Sequence, residues 1–146
     1  MTTPFLAHDI EFEEGRRTIA YQDRGGVWTI GVGHTGPEVH EGLIWTDAQI
    51  NDVLARDIAK ACAGLDRVAP WWRTLDGVRQ DVVVQMTFQM GPGWTRKFPK
   101  ACRAMIASDW QTAHDEMLNS DWARVDSPSR AKRMADQMLT GERSWG

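Results

Sequence analysis

The chain has 146 residues, 17 Lys or Arg against 20 Asp or Glu, and a formal net charge of −3. That length suits one domain burying roughly 70% of its unfolded surface, and with no repeat, low-complexity run or charge block it reads as a compact folded domain with no nucleic-acid partner. No run of about 18 apolar residues and no basic-then-apolar leader is present, so neither membrane insertion nor a secretory signal is expected.

The first predicted element is a helix. Thr3 and Pro4 read as its start, a hydroxyl cap followed by the proline that suits the first helical position. Phe5, Leu6, Ile10 and Phe12 lie along it, and Gly15 is expected to close it in the left-handed conformation. Glu14 is then its last residue. A carboxylate at the negative end of a helix dipole is biased toward its protonated form, which a general acid needs. Residues 19–23 and 27–33 follow as two strands joined by Arg24-Gly25-Gly26, a glycine turn that makes a hairpin. Alternation along the second strand puts Trp28, Ile30 and Val32 on one face and Thr29 on the other, beside Gly31 and Gly33. Those glycines are expected to leave that face open to a ligand. Asp23, before the turn, is expected near Thr29.

Thr46 and Gln49 fit a capping box opening a helix that carries Ile50, Val53, Leu54, Ile58 and Ala61. Asp57 falls on that apolar stripe and needs a partner if buried; His34, after the second strand, is the candidate. The alternative is that Asp57 flanks the stripe and faces water. Asp76 caps an apolar helix over residues 78–90, which is expected to be the buried centre of the larger lobe. Pro99 starts another helix, Ser108 caps the next, and Ser127-Pro128 starts the last, which Gly141 ends. Trp28, Trp45, Trp71, Trp72, Trp94, Trp110 and Trp122 read as mainly core. Cys62 and Cys102 lack zinc-ligand spacing and read as reduced core thiols. The fold class is α+β, mainly helical: a single domain of residues 1–146 with a small β-hairpin lobe (about 15–60) and a larger helical lobe (about 1–14 and 61–146), a cleft between them.

Hydrolysis of a glycosidic bond is the chemistry that suits Glu14 and Asp23. One carboxylic acid protonates the leaving oxygen while a carboxylate activates water or attacks the sugar. The competing reading is two solvated surface acids flanking a hairpin.

The run EGRRTIAYQDRGGVWTIGVGHTG, residues 14–36, resembles the signature of the phage-type lysozymes, the endolysins of glycoside hydrolase family twenty-four. Further along, FQMG from Phe88, then Phe98, Met105, Trp110 and Ala113, SDWA from Ser120 and SPSRAKR from Ser127 are similar to the T-even phage lysozymes. The resemblance implies a lysozyme-like fold and a catalytic set of Glu14, Asp23 and Thr29. It implies that Thr35, Phe88 and Gln89 line the sugar site, that His34 and Asp57 form a structural pair, and that Arg130 pairs with the catalytic glutamate, which would favour the ionised form and oppose the dipole. For Gln89 the residues alone also allow simple exposure at a helix end. The implied reaction is inverting hydrolysis of the β-1,4 bond between N-acetylmuramic acid and N-acetylglucosamine in bacterial peptidoglycan, with no metal or cofactor. A monomer held in the host cytoplasm until wall lysis, with dependence on a holin, completes the expectation.

The chain departs from those relatives in three respects. Its net charge is acidic, with −5 over residues 1–95 and +2 over residues 96–146, whereas they tend to be basic. Residues 35–45 are short, leaving room for a reduced small lobe rather than extra strands. Glu116 stands where the relatives have an amide that touches substrate. Three other readings stay open: a lytic transglycosylase, for which Asp23 and Thr29 would be dispensable, a non-catalytic wall-binding or phage structural module, and an enzyme acting on chitin-like glycans.

Overall fold

The computed structural model describes residues 1–143. It is mainly helical with one small antiparallel sheet. The chain divides into two compact units: Pro4–Lys60, and Met1–Thr3 together with the chain from Ala61 onward.

The first unit contains α1 (Leu6–Glu14), β1 (Arg17–Gln22), β2 (Trp28–Gly31), β3 (His34–Thr35) and the beginning of α2 (Asp47–Val68). Helix α1 starts two residues later than Pro4, and no side chain caps it. Thr3 is not its cap: its backbone N–H donates to Asp81 Oδ1 at 2.8 Å and its hydroxyl to Asp81 Oδ2, a remote pairing that no local rule anticipates. Gly15 ends α1 at φ 77°, ψ 178°. The positive φ is the glycine signal expected, but the ψ is extended, so the chain leaves as a strand rather than through a left-handed cap.

The sheet order is β1-β2-β3. Across β1 and β2, Tyr21 pairs with Thr29 and Gln22 with Trp28; across β2 and β3, Thr29 pairs with Thr35 and Ile30 with His34. The third strand arises because Gly31 and Gly33, at φ 65° and 64°, turn the chain sharply after Ile30, where one long strand was expected. The segment before α2 then returns to the outer edge of β1: Ala20 N–H donates to Leu43 O at 3.0 Å, Trp45 N–H to Thr18 O at 2.9 Å, and Ile19 bridges Ile44. Residues 43–45 thus protect an edge that would otherwise be bare.

Helix α2 opens with the capping box in full: Gln49 N–H donates to Thr46 Oγ1 at 3.2 Å, and Thr46 N–H to Gln49 Oε1 at 2.8 Å. Its Ile50, Leu54 and Ala61 are buried, while Val53, Asp57 and Ile58 are half-buried.

The second unit is helical. A 3₁₀ turn (Pro70–Thr74) leads to α3 (Gly77–Met90), followed by α4 (Trp94–Lys97), α5 (Pro99–Ile106), α6 (Trp110–Leu118), a π-helical turn (Trp122–Asp126) and α7 (Pro128–Thr140). Asp76 caps α3 by accepting from Arg79 N–H at 3.3 Å, and Gly91 closes it at φ 76°. Val82, Val83, Val84 and Met86 are fully buried, so α3 is the centre of this unit. It also buries Gln80, Asp81, Gln85 and Thr87. Gln80 Nε2 donates to the carbonyls of Arg73 and Leu75, and Thr87 accepts from Trp94 Nε1 at 2.9 Å. Ser108 does not cap α6; it takes φ 57° and Asp109 caps instead, accepting from Thr112 N–H. Gly141 ends α7 in the left-handed conformation. Trp72, Trp94 and Trp122 are buried, and the other four tryptophans read as core are half-buried. Both cysteines are free thiols, and burial pushes Cys102 up to about 11.

Candidate functional site

Glu14, Asp23, Thr29, His34, Thr35 and Asp57 all fall in the sheet-bearing unit. Glu14 is the last residue of α1 and half-buried. Its carboxyl group lies against the backbone of Gly33: a Cβ at Gly33 would sit 2.6 Å from Glu14 Oε2 and 2.9 Å from Cδ. The glycine is required twice, since its φ of 64° is also one that other residues adopt at a cost. Gly31 is similar in backbone but different in surroundings. A Cβ there would meet the Trp45 ring at 3.3 Å and Ile50 at 3.5 Å. The two glycines therefore do not leave an open face for a ligand, as the alternation suggested; one accommodates Glu14 and the other Trp45.

Asp23 is exposed in the turn between β1 and β2. Its Oδ1 accepts from Gly25 N–H and Val27 N–H, both at 2.9 Å, while its own N–H donates to Val27 O at 2.9 Å. Two backbone donors on one oxygen fix the carboxylate plane. No protein donor among the described residues reaches Oδ2. Thr29, buried in β2, donates its hydroxyl to Val27 O at 3.0 Å. With its proton so placed, the oxygen presents only lone pairs elsewhere. Val27 thus joins the two groups, binding Asp23 through its N–H and Thr29 through its carbonyl. Thr35, exposed on β3, is the cross-strand neighbour of Thr29.

His34 Nδ1 lies 2.6 Å from Asp57 Oδ2, and its Nε2 lies 2.6 Å from Glu38 Oε1. The ring also stands 5.4 Å from that of Trp45. Burial by itself would lower the histidine's pKa, but the hydrogen bonds to Glu38 and Asp57 outweigh it and the net direction is upward. The same contact holds Glu38 below the usual carboxylate range. Glu38 escaped the sequence reading because an exposed acid in a loop carries no periodic signal. Arg16 escaped it too. It binds Glu11 at 2.8 Å, Asp47 at 3.0 Å and Asn51 at 2.9 Å, tying the end of α1 to the start of α2.

Phe88, Gln89, Arg130 and Glu116 belong to the helical unit. Phe88 and Gln89 are half-buried at the end of α3. Gln89 is more than an exposed helix end: its Oε1 accepts from Trp122 Nε1 at 3.0 Å and its Nε2 donates to Ser127 Oγ at 2.9 Å. The second bond occupies the hydroxyl of Ser127, which makes no cap bond to α7. Arg130 is buried in α7. Among the described residues no group of three or more His, Cys, Asp or Glu could hold a metal ion.

Comparison with known proteins bears on what this arrangement serves. The chain is 28% identical to the pre-baseplate central spike protein Gp5 of Enterobacteria phage T4, over 93% of its own length but only 28% of that protein's. It is 23% identical to probable T4-type lysozyme 1 of Dictyostelium discoideum and 24% identical to probable T4-type lysozyme 2, each over 90% of this chain and 92% of the relative. A profile of the phage lysozyme family matches residues 11–137, a span that takes in the Glu14 end of α1, the whole sheet and nearly all of the helical unit, so the chain belongs to the phage lysozyme family.

Proposed function

We propose that the protein is a lysozyme-type hydrolase, an endolysin that cleaves the β-1,4 bond between N-acetylmuramic acid and N-acetylglucosamine in bacterial peptidoglycan. Family membership supports the hydrolase class. The observation that carries the finer reading is the Asp23–Val27–Thr29 linkage, because it leaves two acceptors, Asp23 Oδ2 and Thr29 Oγ1, on one hairpin. A water donating to both would have a lone pair free for the anomeric carbon. Glu14 is the general acid, protonating the leaving oxygen as the bond to the sugar breaks. Thr35, Phe88 and Gln89 are assigned to sugar binding and Arg130 to the neighbourhood of the catalytic acid.

On this assignment the reaction inverts the anomeric configuration, which requires the two carboxyl groups roughly 6.5–9.5 Å apart so that water fits. Digestion of purified peptidoglycan tests it. New reducing ends of inverted configuration are expected from the wild type, and Glu14→Gln is expected to leave less than about a hundredth of the activity, at the lower end of what general acids contribute. Anhydro-sugar products would instead identify a transglycosylase, and retained configuration would remove the water-positioning role from Asp23 and Thr29.

A further inference from the structure

The ring of His34 lies between two carboxylates, with Asp57 Oδ2 at 2.6 Å from Nδ1 and Glu38 Oε1 at 2.6 Å from Nε2. These are the charged groups that face it. Asp57 comes from α2 and Glu38 from the loop after β3, while β2 sets Ile30 opposite and the segment before α2 adds the ring of Trp45. A protonated imidazole has two N–H donors and satisfies both acids; a neutral one has a single donor, so its other nitrogen would set a lone pair against a carboxylate oxygen. One acid must then withdraw. Asp57 is 24% exposed and fixed on a helix, whereas Glu38 is 56% exposed in a loop, so water replaces the lost bond at least cost at Glu38.

Glu38 is built into that loop. Val39 N–H donates to Gly36 O at 3.1 Å, closing a turn directly after Thr35, and Val39 is buried. The Glu38 carboxyl folds back over Gly36, where a Cβ would sit 2.5 Å from Oε2. Its bond to His34 therefore closes a small ring of chain, residues 34–38, that contains Thr35, the cross-strand neighbour of Thr29. We propose that Glu38 is a positioning residue of the sugar site, holding Thr35 in place to receive the saccharide while His34 is protonated. The inference rests on the assignment of Thr35 to sugar binding. The histidine's pKa is raised, so the ring of chain is closed at low pH and is released as pH rises through the His34 midpoint, and saccharide binding weakens over the same interval.

The test uses the full chain carrying Glu14→Gln, so that hydrolysis does not consume the probe, a tetrasaccharide of alternating N-acetylglucosamine and N-acetylmuramic acid. Its Kd, followed by calorimetry through the His34 midpoint, is expected to rise about fivefold, the lower end of coupling between linked sites. Linkage is reciprocal, so saturating tetrasaccharide is expected to raise that midpoint, read by NMR of the ring protons, by about 0.7. Adding Glu38→Ala is expected to give the weak Kd at every pH and to abolish the effect of the ligand on the midpoint. Adding Asp57→Asn is expected to do the opposite: an amide can donate to Nδ1, which frees the one proton of the neutral ring for Glu38, so binding stays tight as pH rises. A contact that serves stability alone would lower the melting temperature of the Glu38→Ala protein and leave its Kd unmoved. That result, equal Kd profiles for the two added substitutions, or a Kd that is flat through the midpoint with Glu38 and Asp57 intact would overturn the proposal. A tetrasaccharide that binds at no pH would overturn it together with the Thr35 assignment, whereas digestion of peptidoglycan by the wild type tests the hydrolase reading separately.

Discussion

At the scale of single residues, the close approach of Glu14 to Gly33 constrains the proposed acid. A methyl group at position 33 would enter the space of the carboxyl group, at 2.6 Å from Oε2, and the carboxyl would have to swing away. Gly31 supplies the control, since its φ of 65° matches the 64° of Gly33 while its neighbours are Trp45 and Ile50. Gly33→Ala and Gly31→Ala are each expected to cost about 1–2 kcal/mol of stability from the positive φ alone. Only Gly33→Ala is expected to lose about a hundredfold or more in kcat, with KM little changed, because a displaced general acid affects the chemical step. Equal kcat values for the two variants would mean that Glu14 tolerates displacement. Glu14 at a helix end was legible in the sequence because Gly15 marks the stop. The slot at Gly33 was not, because which side chain fills a glycine's missing Cβ depends on how separate elements pack.

At the scale of elements, His34 fastens β3 to α2 through Asp57 and to the following loop through Glu38. Its pKa is raised in the folded protein, so the protonated ring is the form that folding favours. The stabilisation is therefore fully present below about 6.5, the value of an unstructured histidine, and is lost as pH rises through the higher folded value. Asp57→Asn and Glu38→Gln are each expected to lower the His34 titration midpoint, followed by NMR of the ring protons, and to flatten the pH dependence of the melting temperature. A midpoint unmoved by Glu38→Gln would mean that the loop carboxylate leaves the histidine in solution.

Elements with a local chemical signature could be read from sequence: the Thr46–Gln49 box, the Asp76 cap, the prolines at 99 and 128, the glycines at 91 and 141. Asp57 could be paired with His34 because an acid on an apolar stripe demands a partner. The strand at 34–35, the return of residues 43–45 to β1 and the π-helical turn could not. Their hydrogen bonds depend on tertiary register, and no period in the sequence encodes it. Ser108 misled for a related reason, being a good cap residue one place before Asp109, the residue whose side chain reaches Thr112 N–H.

At the scale of the whole molecule, Arg79 shows how the helical unit is joined. Its Nε and Nη2 donate to the carbonyls of Met138 and Leu139 at the end of α7, its Nη1 binds Asp76, and its guanidinium lies 3.8 Å over the Trp110 ring. The last turn of α7, whose carbonyls have no partner within the helix, is thereby completed from α3. The opposite terminus is fixed in this unit as well, because Thr3 meets the buried Asp81 through both its N–H and its hydroxyl. Thr3→Val, which keeps the backbone bond, is expected to cost about 1–3 kcal/mol in urea unfolding, since Asp81 loses a donor without regaining water. A loss below about 0.5 kcal/mol would show that the hydroxyl contributes little.

That anchorage has a topological consequence. The chain is fastened in the helical unit at Thr3, leaves to build all of Pro4–Lys60, and enters the helical unit again at Ala61, so the sheet-bearing unit is tied at both of its chain ends. A loop tied at both ends has less conformational entropy to gain on melting than a tail of equal length. Local unfolding of the sheet should therefore be rarer while Asp81 holds Thr3 than after that tie is cut, and amide exchange in β1 and β2 should quicken in a variant altered only at residue 3, far along the chain from either strand.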